Sequence, residues 1–202
     1  MPDDGPLSAP LARGATRLET EPRLDPLAQG LGRLAEAVVP PPGRLHDELR
    51  GRSLGHPAHA VLTDLPLGLW IGAAALDVTR PEGHEAAARR LVGLGLLSAA
   101  PTVLAGLADF RALTAPARRV AAVHAAANAT GNLLVGASWW ARRSGRHRLG
   151  RLLTAAGLGA AGVGGYLGGH IAQTMREPVA VPDGGHDGHD GGHDGGTLPT
   201  TG

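Results

Sequence analysis

The chain has 202 residues, a net charge of +1, 43% hydrophobic residues and only 2% aromatic residues. Soluble domains normally build their cores from large aliphatic and aromatic side chains. Here 32 Gly, together with many Ala, Leu and Val, favour helices that pack closely in lipid. The near-neutral charge gives no electrostatic case for nucleic acid as a partner. The lack of Cys excludes disulfides and Cys-ligated iron–sulfur clusters within this chain.

The N-terminal segment precedes the apolar part of the chain. Residues 1–22 are rich in Pro, Gly and charge and are predicted to be disordered. Residues 23–52 are predicted to form an amphipathic helix and a linker, and the helix has one apolar stripe of Leu24, Leu27, Leu31, Leu34 and Val38. Two interpretations stay open for this helix. It lies on the membrane interface, or it packs on a partner or on the helical bundle.

Four long apolar segments predict transmembrane helices at 57–78, 91–110, 120–141 and 149–172. Each is close to the ~20 residues needed to cross ~30 Å of hydrocarbon. The predicted fold class is therefore all-α, an integral membrane four-helix bundle over residues 53–176, with the amphipathic helix before it and disordered termini. We expect a multi-pass protein of a bacterial-type inner (plasma) membrane, in contact with the lipid bilayer. Whether it forms a homo-oligomer is left open.

The C-terminal segment, residues 177–202, is rich in Asp, Gly and His and is predicted to be a disordered tail. His186, His189 and His193 are candidate ligands for zinc, nickel or copper. The alternative is a solvated tail without metal. His56, just before the first span, is the remaining candidate metal ligand.

Ionisable groups inside membrane spans are costly, so each is a candidate for function. Alternate helices reverse direction, which places the start of the first and third spans beside the end of the second and fourth. The residues that fall at this side are His59, Asp109, His124 and His170, with Asp64 slightly deeper. The other side carries Trp139 and Trp140, typical interfacial anchors, and no equivalent polar set is predicted there. The sequence therefore predicts one intramembrane polar site.

Three interpretations of this site remain open. In the first, two of the histidines are axial ligands of a haem b and the third is a hydrogen-bond or proton partner. In the second, histidine and carboxylate bind a non-haem metal. In the third, the polar side chains hydrogen-bond across helices and hold the bundle together without a cofactor. No motif specifies a substrate, so enzymatic activity is left open.

These residues also lie in motifs that resemble those of one family. The motifs read GHPAHAVLTDLPLGLW at 55–70, AGLADF at 105–110, VHA at 123–125 and GGYLGGH at 164–170. In this order they resemble the predicted membrane proteins catalogued as domain of unknown function 2231, with Phe110 standing where Trp is common. The resemblance covers about residues 43–175.

The resemblance also implies a class of function. Some members of that family carry a Rieske-type iron–sulfur domain after the fourth span, which implies electron transfer near the histidine-rich side. This chain has the Asp/Gly/His tail after its fourth span and no Cys-His cluster motif. We therefore expect any electron-transfer partner to be a separate redox protein.

Overall fold

A computed structural model describes residues 8–79 and 82–177, and within them the chain is helical and has no β-strand. The helices are α1 (Ser8–Glu19), α2 (Asp25–Val38), α3 (Arg44–Leu49), α4 (Ala58–Thr79), α5 (Glu85–Phe110), α6 (Ala115–Arg143) and α7 (His147–Gly169). Short 3-10 turns at Pro22–Leu24 and Arg52–Leu54 connect the first helices, and a π-helical turn, His170–Thr174, extends α7.

The four long helices form two antiparallel hairpins. We call α4 and α5 the first hairpin, and α6 and α7 the second hairpin. The hairpins pack on each other through α5 with α6 and through α4 with α7, so that α4 and α6 lie diagonally opposite. Helices joined by short loops pack as antiparallel neighbours in this way.

Small residues let these helices approach closely. The Trp70 side chain on α4 lies directly against Gly95 on α5, where an added Cβ would be 2.3 Å from the indole nitrogen. On the second hairpin, a Cβ at Gly131 would be 3.0 Å from the carbonyl oxygen of Gly157. Close backbone approach at small residues is typical of helix packing in lipid.

Three of the described helices are long and apolar enough to cross a membrane, namely Ala58–Thr79, Glu85–Phe110 and His147–Thr174. The all-helical fold class and three of the four predicted spans are therefore supported. The remaining segment, α6, is the longest helix, but its polar side chains lower its hydropathy. The fourth span stays a prediction.

Two boundaries differ from those expected from hydropathy. The second and third long helices begin at Glu85 and Ala115, where the sequence predicted spans from 91 and 120. Each begins with about five residues that include charged side chains, which a hydropathy window does not count, because a helix continues past the edge of its apolar part.

Helix α1 lies inside the segment predicted to be disordered. Its Ala15 is buried in one cluster with Val120 of α6 and Leu167 of α7, and Leu18 packs against the same cluster. A helix of this length is marginal alone, so packing on the long helices stabilises it. The predicted disordered tail falls largely outside the described residues.

Helix α2 occupies the position predicted for the amphipathic helix. It packs on α5 and α6, and it buries Ala28 and Ala35 there, with Gly32 facing the Phe110 ring. Leu27 and Leu34 of the same apolar stripe stay exposed. One face of this helix therefore packs on the long helices, and an apolar strip remains on the adjacent face.

Candidate functional site

The candidate site centres on two histidines from diagonally opposite helices. His59 in the first turn of α4 and His124 on α6 bring their ring centroids to 6.0 Å, with the ring planes at 74°. Both rings are partly buried. The predicted convergence of these two residues is therefore present, and it lies where the hairpins meet.

Each histidine is fixed by its own hairpin. His59 Nδ1 lies 2.9 Å from the carbonyl oxygen of Thr102 on α5, and His124 Nδ1 lies 2.7 Å from that of Gly164 on α7. A carbonyl oxygen only accepts, so Nδ1 of each ring is the nitrogen that donates. In this tautomer Nε2 is the ring nitrogen that can accept. That of His124 accepts from the Asn128 side-chain amide at 3.0 Å.

Glycines leave room for both rings. A Cβ at Gly106 would be 2.9 Å from the His59 ring, and a Cβ at Gly168 would be 3.0 Å from that of His124. Real Cβ atoms essentially never approach as closely as at Gly106, and the contact at Gly168 is tighter than most, so these two positions limit where the imidazoles lie.

Asp109 lies beside this pair and faces an arginine that the sequence analysis did not include. Its Oδ1 is 3.5 Å from the Nε of Arg50, and each side chain is only 13% exposed. Neither atom has a hydrogen-bond partner among the described residues, so the charges attract without a hydrogen bond. His59 is also within electrostatic range of the carboxylate. A buried carboxylate held by one guanidinium is costly to leave unpaired.

His170 is hydrogen-bonded to a residue outside the predicted polar site. Its Nε2 lies 2.7 Å from Glu19 Oε1 at the end of α1. Arg119 completes this attachment, since it bonds both carboxylate oxygens of Asp25 on α2 and donates to the Glu19 carbonyl oxygen at 2.9 Å. These bonds fasten α1 and α2 over the end of the bundle that holds the histidine pair. The hydrogen bond from Arg119 holds the pKa of Asp25 below its ordinary value.

The remaining candidate residues do not join the pair. Asp64 is exposed on α4, and His56 is exposed, with Nδ1 3.4 Å from the Leu54 carbonyl oxygen. His186, His189 and His193 lie outside the described residues. Within residues 8–79 and 82–177, no group of three or more His, Asp or Glu side chains is arranged to hold a metal ion.

A second polar cluster lies at the opposite end of the long helices, where the sequence analysis predicted none. The Arg142 guanidinium, 1% exposed, binds both carboxylate oxygens of Asp77, at 2.9 and 2.5 Å. It also donates to the hydroxyls of Ser138 and Thr154, at 3.1 and 3.2 Å. Two features of the sequence could have indicated this cluster: Asp77 lies inside the first predicted span, and Ser138 and Arg142 form an i, i+4 pair. This network joins α4, α6 and α7.

An all-helical chain with three helices able to cross a membrane and small residues at its helix contacts is a helical membrane protein. Within that class, the model of a family described as predicted membrane protein (DUF2231) matches residues 55–180. The chain belongs to this family, as its motifs predicted. No curated protein and no solved structure matches the chain.

Proposed function

We propose that α4–α7 form a four-helix transmembrane bundle of a multi-pass protein, with α6 as the fourth span. This helix has 29 residues, enough to cross the hydrocarbon. The polar side chains in its middle are hydrogen-bonded within the protein. Asn132 donates to the Asn128 carbonyl oxygen at 2.9 Å, and Asn128 donates to His124. A membrane helix tolerates polar groups that are paired in this way.

Within this bundle, His59 and His124 bind a haem b, and the protein transfers electrons in the membrane. The observation that carries this proposal is that both imidazoles donate Nδ1–H to a main-chain carbonyl. Metal-ligating histidines almost always donate their other ring nitrogen to such an acceptor, which fixes the tautomer and raises the basicity of Nε2. Two histidines on facing helices are also how bundles hold haem.

The number of side chains in the pair favours haem over a non-haem ion. A structural zinc takes four protein ligands and a catalytic zinc takes three. Haem already supplies ligands to its own iron, so two imidazoles from the protein would be enough to hold it. The centre of the bundle offers two imidazoles.

The residues around the pair have distinct parts in this proposal. Haem b, when bound, supplies one-electron redox chemistry. The carbonyls of Thr102 and Gly164 hold the rings, and the packed helices exclude water. Asn128 now donates to His124 Nε2, so its amide would have to turn away for that nitrogen to bind iron. The buried ion pair between Asp109 and Arg50 places fixed charges next to His59, and these charges would influence the redox potential of a haem bound there.

The test is haem retention in histidine variants of the full chain after haem-replete expression. H59G and H124G should each lose most of the haem, and added imidazole should restore it, because a small ligand replaces the missing side chain. H56G is the matched control and should keep its haem, since His56 is exposed and lies outside the pair. Loss of haem in H56G, or retention in both H59G and H124G, would contradict the assignment.

A structural role for the pair has one observation in its favour. Both rings bond across helices, and the second nitrogen of His124 is also partnered within the protein. In that case H124Q lowers thermal stability and changes no bound ligand. Location in a bacterial-type plasma membrane, a separate redox partner and homo-oligomer formation stay predictions.

A further inference from the structure

The two hairpins bury the same positions. On their second helices, buried residues pair at a constant shift of 62 residues: Ala88 with Gly150, Val92 with Thr154, Gly95 with Gly157, Ala99 with Ala161, Thr102 with Gly164, Ala105 with Leu167 and Ala108 with His170. On their first helices, the shift is 65 residues and pairs Pro66 with Gly131, Trp70 with Val135 and Ala73 with Ser138. A run of equivalent burial along both helices is the signature of an internal repeat.

The contacts repeat at the same shifts. Trp70 packs on Gly95 in the first hairpin, and Val135 packs on Gly157 in the second. His59 donates to the carbonyl oxygen of residue 102 and lies on Gly106. His124 donates to that of residue 164 and lies on Gly168. These shared contacts include hydrogen bonds from a histidine side chain to a main-chain carbonyl, so the agreement reaches beyond the general preference for small residues in helix packing.

The pairs that meet between the hairpins are equivalent positions. His124 stands 65 residues after His59, and Arg142 stands 65 residues after Asp77. The first pair brings its rings to 6.0 Å and the second forms the buried ion pair. Equivalent residues of two copies meet only near the axis that relates them. Because α4 and α6 run in the same direction, this axis runs along the helices, as in membrane proteins built from parallel repeats.

We infer that the long helices are two copies of one hairpin unit related by an approximate two-fold axis, and that Asp77 and Arg142 decide how the hairpins pair. Each hairpin fits the other hairpin of its own chain. If two first hairpins met, Asp77 would face a second Asp77, and two second hairpins would bring Arg142 against Arg142. Like charges in a buried contact reject the wrong pairing while the opposite charges stabilise the right one. This inference does not depend on what the histidine pair binds.

The equivalence of the two hairpins is broken at the ion pair. Ser138 and Thr154, which accept from Arg142, have Ala73 and Val92 at the equivalent positions of the first hairpin. The two-fold relation therefore predicts which substitutions must accompany a reversed ion pair. An arginine placed at position 77 requires two hydroxyls at positions 73 and 92 to regain its partners.

The experiment reverses the ion pair in the full chain and measures Tm in one detergent. D77R and R142D each bury like charges and should lose about 6–20 °C. The double variant D77R/R142D should recover at least half of that loss, because the exchanged residues remain opposite each other. Adding A73S and V92T to the double variant should raise Tm further. The same two substitutions added to R142D alone are the control and should give no recovery.

The outcome decides the inference in each case. A double variant no more stable than the single variants would overturn the role of the pair. A quadruple variant less stable than the double variant would overturn the equivalence of the hairpins. If the single variants do not accumulate, the Tm values of the double and quadruple variants are compared with that of the wild-type chain and still test the inference. If neither of these two variants accumulates as folded protein, the inference is contradicted.

Discussion

Gly106 and Gly168 connect helix packing directly with the positions of the two histidine rings. The substitution G106A places a methyl group 2.9 Å from the His59 ring, and G168A places one 3.0 Å from that of His124. In each case the nearest ring atoms are Cε1 and Nδ1, and Nδ1 donates the hydrogen bond to the main-chain carbonyl. The ring therefore shifts by a few tenths of an ångström and weakens that bond. Overpacking of this kind costs about 1–3 kcal/mol. Helix propensity returns about 0.5–1 kcal/mol.

The middle of these ranges leaves a net loss of about 1.3 kcal/mol, or roughly 3–5 °C in Tm for a chain of this size. Haem content should fall with it, since the displaced imidazole no longer holds Nε2 in the position from which it would bind the iron. Thermal unfolding and the absorbance of bound haem measure both effects in the same sample. G162A and G165A are matched controls on α7, because an added Cβ at either position has no neighbour within 4 Å. Equal behaviour of G106A and G165A in both assays would refute the reasoning.

Three further predictions concern the parts around the site. E19A removes the hydrogen-bond partner of His170 and should speed hydrogen exchange in α1 about tenfold. A hydrogen bond to a charged group contributes about 1.5–3 kcal/mol, and the low end of that range applies because Glu19 is partly exposed. The hydrogen bond from Arg119 lowers the pKa of Asp25, so this bond stabilises the protein above the ordinary Asp pKa and is lost as the pH falls through the lowered value. The Tm difference between wild type and D25N should therefore be present at pH 6 and shrink as the pH falls below the ordinary Asp pKa. Deletion of residues 183–196 should reduce nickel binding in calorimetry and leave the haem spectrum unchanged.

The positions of the histidine pair followed from the sequence because they depend on little besides topology. Alternating helix direction brings the starts of α4 and α6 to the same end, and a polar residue there faces protein. Asp64 was placed in the same site on depth alone. It lies five residues after His59, which on a helix of 3.6 residues per turn puts it on a different face, and it is exposed.

The partners that sequence reasoning missed depend on tertiary contacts between distant segments. Glu19 belongs to α1, a short helix that is stabilised by packing on the long helices and so gave no strong local pattern. Arg50 lies in the linker before α4, and its relation to Asp109 requires the path of that linker. Gly51 shapes this path, since its φ of 99° lies in the left-handed region and a Cβ there would overlap the His56 carbonyl oxygen.

The cluster around Arg142 was missed for another reason. Hydropathy windows end the third span at 141, just before the guanidinium, and so the arginine counts as part of a solvated loop. Its burial depends on Asp77 of the first hairpin, which neutralises it, and on Gly150, whose missing side chain makes room for the arginine stem. Only the packing of the two hairpins brings these residues together.

The most direct test of the central proposal is the visible spectrum of the wild-type protein, purified after haem-replete expression and recorded oxidised and reduced. Bis-imidazole ligation by His59 and His124 predicts a Soret band, sharp α and β bands on reduction, and about one haem per chain, the number that one pair of axial ligands holds. Folded protein without Soret absorption would contradict the proposal and leave the histidine pair as a structural cross-link between the hairpins.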